Sequence, residues 1–141
     1  TVYRAAFGYA NLEQGISLTP ATRLPIASVT KHFTCPVALR LAAEGRLSLE
    51  DPIGRWLPEL RGRQAVPTLR QLMTHTAGLR CHLELAVFNG VRTVPARYPL
   101  AAQVRQEGVN FEPGEDFLYS NGGYYLLSLA LERASGRSYA D

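Results

Sequence analysis

The sequence predicts a helix-dominated α/β domain with a short strand at its N-terminus. Three observations carry this. Capped amphipathic stretches over 28–44 and 120–136 each read as a long helix. Residues 1–10 are rich in aromatic and β-branched side chains, the mark of a strand. The chain has 141 residues, enough for one domain, since a globule of this size buries roughly 68–70% of its unfolded surface.

The strand spans TVYRAAFGYA, with Val2, Tyr3, Phe7 and Tyr9 as its signal. Residues 11–27 read as loop, punctuated by Asn11, Gly15, Pro20 and Pro25. Ser28 is the N-cap of a helix that ends at Gly45. Val29, Phe33, Val37 and Leu41, four apart, form its apolar stripe, and Pro36 is expected to kink it. Leu47, Leu49, Ile53, Trp56, Leu57 and Leu60 gather into a satellite cluster around an Asp51-Pro52 turn. Thr68 and Gln71 fit a capping box at the start of a short helix. Two more short helices fall in 83–107, broken by Asn89-Gly90, Pro95 and Pro99. Phe111–Gly114 is a turn, and Phe117–Tyr119 is extended. Ser120 or Asn121 caps the last long helix, whose apolar face is Tyr125, Leu126, Leu129, Ala130 and Ala134; Gly136 ends it. Ser138 and Asp141 look like the start of another capping box.

Composition narrows the functional classes. Apolar residues make up 46% and charged residues 19%, which excludes a disordered chain. No stretch approaches the roughly 20 apolar residues of a membrane span. The net charge is +3, but the basic residues are scattered, which argues against nucleic-acid binding. No H-E-x-x-H or C-x-x-C spacing points to a metal, and no G-x-G-x-x-G or P-loop pattern to a nucleotide, so no cofactor is expected. Cys35 and Cys81 read as two free thiols. The chain starts at Thr1 without an initiator Met or a signal-peptide pattern, which is compatible with a processed N-terminus and leaves its compartment open.

Lys31 is the sole lysine among 15 basic residues; the rest are arginine. Arginine is not deprotonated in a protein, whereas lysine can be. Ser28-Val29-Thr30-Lys31 is S-x-x-K at a helix start. Residues three apart share a helical face, so a hydroxyl and an amine can meet there. A serine becomes a competent nucleophile when a base takes its proton, and a desolvated lysine can be that base. The helix N-terminus offers N–H donors to an oxyanion. The bland reading is a capping serine and a solvated lysine. Tyr119-Ser120-Asn121, Y-x-N before a helix, brings a phenol able to shuttle protons and an amide able to hold a substrate amide. Alone it is weak, because Tyr9-Ala10-Asn11 repeats it. Thr74–Leu79 carries no derivable chemistry, and His75 reads as the maker of a structural hydrogen bond rather than a base.

Ser28-x-x-Lys31, Gln71-Leu72-Met73-Thr74-His75-Thr76-Ala77-Gly78-Leu79, Phe111-Glu112-Pro113-Gly114 and Tyr119-Ser120-Asn121-Gly122 together resemble the penicillin-recognising serine hydrolases. The likeness is to the class C β-lactamase branch, with its D-alanyl-D-alanine carboxypeptidases, esterases and D-aminopeptidases. Ser28–Cys35 and Asn110–Gly122 are most similar to D-aminopeptidase. The resemblance implies a β-lactamase/transpeptidase-like fold, of which 1–141 would be a partial domain. It also implies acyl transfer to Ser28, proton work shared by Lys31 and Tyr119, a substrate amide held by Asn121, and the Ser28 N–H as one arm of an oxyanion hole. The substrate would be a small peptide, a β-lactam or an ester.

The chain departs from that pattern in lacking K-T-G or H-x-G, the family's third motif; His75 is followed by Thr76-Ala77. The expectation is therefore the N-terminal and helical part of a longer enzyme, inactive alone. A missing C-terminal part or a partner chain would cover exposed apolar faces on Val2–Tyr9 and the last helix. Two other readings compete: a penicillin- or peptide-binding sensor without turnover, and a helical module whose S-x-x-K is only a cap.

Overall fold

The structure is a computed structural model that describes residues 3–95 and 98–141. The chain divides into two units, Thr1–Thr30 and Lys31–Asp141.

In the first unit, β1 (Tyr9–Asn11) pairs antiparallel with β2 (Ile16–Ser17). The Asn11 side-chain oxygen accepts the Gln14 N–H at 2.8 Å and shapes the turn. The strand is thus shorter and later than expected: residues 3–8 carry none, and Thr1 and Val2 lie outside the described residues. Gly8, at φ +86, breaks the extended backbone before Tyr9. β2 falls in the expected loop because two residues cannot display an alternation. Tyr3, Phe7 and Tyr9 are exposed, as expected of that segment. The unit ends in a 3₁₀ turn, Ala27–Thr30.

The second unit is built around its last helix. We number its helices α1 (Lys31–Ala43), α2 (Ile53–Trp56), α3 (Leu69–Met73), α4 (His82–Phe88), α5 (Tyr98–Val104) and α6 (Asn121–Ser135). α6 packs against α1, α2 and α3 and touches α4 and α5. Ser120 caps it, its hydroxyl accepting the Gly123 N–H at 3.1 Å, and Gly136 closes it in the left-handed conformation. Leu126, Leu127, Ala130 and Leu131 are its buried face, with Tyr125, Leu129 and Ala134 flanking. The last helix therefore does not present the exposed apolar face expected of it; it is the centre of the core.

Four further expectations are corrected. Ser28 sits within the 3₁₀ turn, and the α-helix begins at Lys31, with Pro36 inside it. The buried face of α1 is Thr34, Ala38 and Leu41, while Phe33 and Val37 are exposed. Both faces of this helix are apolar enough that periodicity chose the wrong one. The satellite cluster is not separate: Leu47, Leu49, Ile53, Leu57 and Leu60 belong to the main core, with Trp56 packed against it. Finally, Pro99 does not break a helix but occupies the first turn of α5, where its missing N–H has no intrahelical partner to lose.

Local sequence signals account for much of the remainder. Asp51 is buried at its turn and accepts from the Ser48 amide, Arg55 and the Trp56 indole. Burial pushes its carboxyl up, but those donors outweigh burial and hold it below the usual carboxylate range. The capping box of α3 is formed, Thr68 accepting from the Gln71 N–H and the Gln71 side chain accepting from Thr68 N–H. Thr68→Ala is expected to lower stability by about 1 kcal/mol in chemical denaturation, because the Gln71 amide loses its partner. Buried Gln103 donates to Gln64, which donates to the Gly108 carbonyl at 2.8 Å and fixes the chain leading toward residue 110. Both cysteines are free.

Candidate active site

Lys31 opens α1 and Asn121 opens α6. The packing of these helices brings the two residues together: Lys31 Nζ donates to Asn121 Oδ1 at 2.8 Å. An ammonium can only donate, so the Asn121 oxygen must face Lys31, and Nδ2 is the amide's remaining donor group. The same Nζ lies 4.8 Å from the Tyr119 ring centroid and 5.2 Å from that of Tyr124, contacts a cation makes with ring faces. Lys31, Tyr119 and Asn121 thus converge. Ser28 lies in the Thr1–Thr30 unit, exposed on its 3₁₀ turn, directly after Ala27 at φ 45.

The Thr74–Leu79 segment, silent as a sequence, proves to be a brace. Its carbonyls accept three amides from the chain approaching α6. His75 O takes Leu118 N–H at 3.0 Å, Thr76 O takes Gly114 N–H at 2.8 Å, and Gly78 O takes Asn110 N–H at 2.8 Å. Gly78 has φ +69, and a Cβ built on it would lie 1.9 Å from the Phe111 carbonyl oxygen. Only glycine permits that approach.

His75 makes the structural hydrogen bond expected of it: Nδ1 accepts the Ser120 N–H at 3.1 Å. Its ring lies 4.4 Å from Tyr119 and 5.0 Å from Tyr124, with Phe117 edge-on at 5.8 Å. Burial first, and then the charge of Lys31, pull its pKa below the ordinary imidazole value.

Sequence reasoning missed Tyr124 and Cys35. Tyr124 Oη donates to the Met73 carbonyl at 2.7 Å, so its one proton is committed. The Cys35 thiol, 3.2 Å away, is then the donor to the phenol oxygen. Burial first, and then Cys35, push the Tyr124 phenol well above its usual range, so it stays protonated. Its spacing was a usable signal: Tyr124 stands three residues after Asn121 and shares its helical face. Among the described residues no cluster of three or more His, Cys, Asp or Glu side chains could hold a metal, and no helix is long and apolar enough to cross a membrane.

The Beta-lactamase family model matches residues 1–141. Penicillin-binding protein 4* of Bacillus subtilis (strain 168) is 36% identical over 143 residues, covering 99% of this chain and 31% of that protein. D-aminopeptidase of Brucella anthropi is 34% identical over 140 residues, covering 97% of this chain and 26% of that protein. The solved octameric penicillin-binding protein homologue from Pyrococcus abyssi superposes with a TM-score of 0.80 at 34% identity, covering 98% of this chain and 33% of its own. The chain therefore spans less than a third of the length of these curated relatives, at 31% and 26%. Matched along its whole length, the chain belongs to the beta-lactamase family and has a β-lactamase/transpeptidase-like fold.

Proposed function

We propose that this chain is the nucleophile-bearing part of a serine hydrolase that cleaves amide or ester bonds through an acyl-enzyme. The observation that carries the reading is the meeting of Lys31 with Asn121 at 2.8 Å, beside Tyr119, across 90 residues of sequence. Ser28 Oγ attacks the substrate carbonyl carbon as its proton passes to the Lys31–Tyr119 pair in its singly deprotonated form, an amine beside a phenol or an ammonium beside a phenolate. That pair protonates the leaving amine or alcohol, and water then hydrolyses the ester on Ser28. Asn121 Nδ2 donates to the substrate amide carbonyl, and the Ser28 N–H supplies one arm of the oxyanion hole. The left-handed Ala27 beside Ser28 supports the assignment, because non-glycine residues in that region cost roughly 1–3 kcal/mol and gather at functional sites.

D-amino-acid peptides and β-lactams are the favoured substrates, by similarity to a D-aminopeptidase and to penicillin-binding proteins. The chain holds no K-T-G or H-x-G, so steady-state turnover is assigned to the site completed by residues outside these 141. Those residues, or a partner chain, also cover the exposed side chains Tyr3, Phe7, Phe33 and Val37. The names of the penicillin-binding relatives favour a second reading, a sensor that acylates and does not release.

The test is to treat the full-length protein with a β-lactam or an activated phosphonate and map the adduct by peptide mass spectrometry. The adduct is expected on Ser28. A label elsewhere, or none on folded protein, overturns the assignment. One equivalent of label with no steady-state release selects the sensor.

A further inference from the structure

We propose that His75 is a positioning residue: its neutral imidazole holds Tyr119 and Asn121 against Lys31, and protonation of Nδ1 disassembles the group. This rests on the reading of Ser28, Lys31 and Tyr119 as the acylation machinery.

The geometry is specific. Ser120 stands between Tyr119 and Asn121, and it is fixed at two atoms. Its hydroxyl caps α6 by accepting the Gly123 N–H at 3.1 Å, and its own N–H is held by His75 Nδ1 at 3.1 Å. The residue before Tyr119 is tied as well, Leu118 N–H to His75 O at 3.0 Å. The imidazole lies 4.4 Å from the Tyr119 ring, on which Lys31 also rests. One residue thus holds the backbone on both sides of Tyr119, its carbonyl at Leu118 and its imidazole at Ser120, and the imidazole also packs on the Tyr119 ring. Because Nδ1 accepts, the imidazole proton is on Nε2.

The groups facing this ring are Lys31 from α1, Tyr119 from the segment before α6, and Tyr124 from α6, with Cys35 behind Tyr124. A proton on Nδ1 would set N–H against N–H at Ser120 and place a second cation beside Lys31. Both effects favour the neutral ring, in agreement with the downward displacement of its pKa. His75 also adopts φ 60, a left-handed conformation that His and Asn tolerate better than most residues.

The test measures the acylation rate of Ser28 by intact-mass kinetics in the full-length protein, from about pH 5 to about pH 8, the span in which histidine titrates. Asparagine at this position keeps an acceptor near that of Nδ1, tolerates the backbone and cannot titrate. The expected result is an acid limb in the wild type that follows the His75 titration seen by nitrogen NMR and is absent in His75→Asn. His75→Phe, which keeps a ring but removes the acceptor, is expected to slow acylation roughly tenfold or more at neutral pH. An unchanged acid limb in His75→Asn overturns the proposal, as does wild-type acylation in His75→Phe. Should either variant fail to fold, a protonated Nδ1 at neutral pH in the wild-type NMR spectrum overturns it as well. A wild-type protein that never labels Ser28 at any pH fails the hydrolase reading itself, a result distinct from labelling with an unmoved profile.

Discussion

Lys31→Met is expected to slow acylation of Ser28 by roughly 10²–10⁴-fold, the usual worth of a general base. Methionine keeps the length of the stem and removes the amine. The decisive companion is Lys31→Arg, which preserves a cation over the Tyr119 and Tyr124 rings, 4.8 and 5.2 Å away in the wild type. Guanidinium does not give up its proton in a protein, so the arginine variant is expected to fall as far as the methionine one. Single-turnover acylation followed by intact mass reads both. Wild-type rates in Lys31→Arg would reduce Lys31 to a fixed charge and move the base role to Tyr119. Thermal unfolding in parallel separates this from structural loss, because removing the 2.8 Å hydrogen bond to Asn121 costs about 1.5–3 kcal/mol for a charged donor.

Gly78→Ala is the substitution expected to harm the fold most, by roughly 3–5 kcal/mol, near the upper end of single-residue effects. Two causes add. The left-handed backbone at φ +69 penalises any Cβ, and that Cβ would stand 1.9 Å from the Phe111 carbonyl oxygen. Backbone cannot swing aside as a side chain can, so relief means separating Gly78 from Phe111. That strains the Asn110 N–H bond to Gly78 O and the brace beneath Tyr119. Gly45→Ala is the control: its φ is +70, yet nothing lies within 4 Å of the new Cβ. It is expected to cost only the conformational penalty, about 1–2 kcal/mol. Urea denaturation of the two variants measures the difference; equal losses would show that the contact with Phe111 relaxes freely.

The elements that read correctly from the sequence are those specified within one turn of themselves. Thr68 and Gln71 satisfy each other's amides three residues apart, Ser120 reaches Gly123, and Gly136 ends α6, all without reference to the rest of the chain. The misread elements depended on distant partners. Val37 and Ala38 are neighbours on α1, one exposed and one buried, and hydrophobicity alone ranks the valine as core. Leu47 and Ile53 looked like a local cluster because the helix they pack with begins beyond residue 120.

The candidate site divides in the same way. Ser28-x-x-Lys31 and Tyr119-x-Asn121 are local spacings, and the sequence by itself sufficed to name the four residues, the family they resemble and the absence of a third motif. Only the tertiary structure decided that Lys31 Nζ bonds Asn121 across 90 residues, that the Tyr124 ring stands beside the lysine, and that His75 and Gly78 bond the chain on either side of the tyrosine's segment. The reason is physical. Helix starts and caps follow from backbone groups that must find partners nearby, whereas the meeting of α1 with α6 follows from which faces bury together. The brace works through main-chain carbonyls, which every residue carries and no sequence pattern distinguishes.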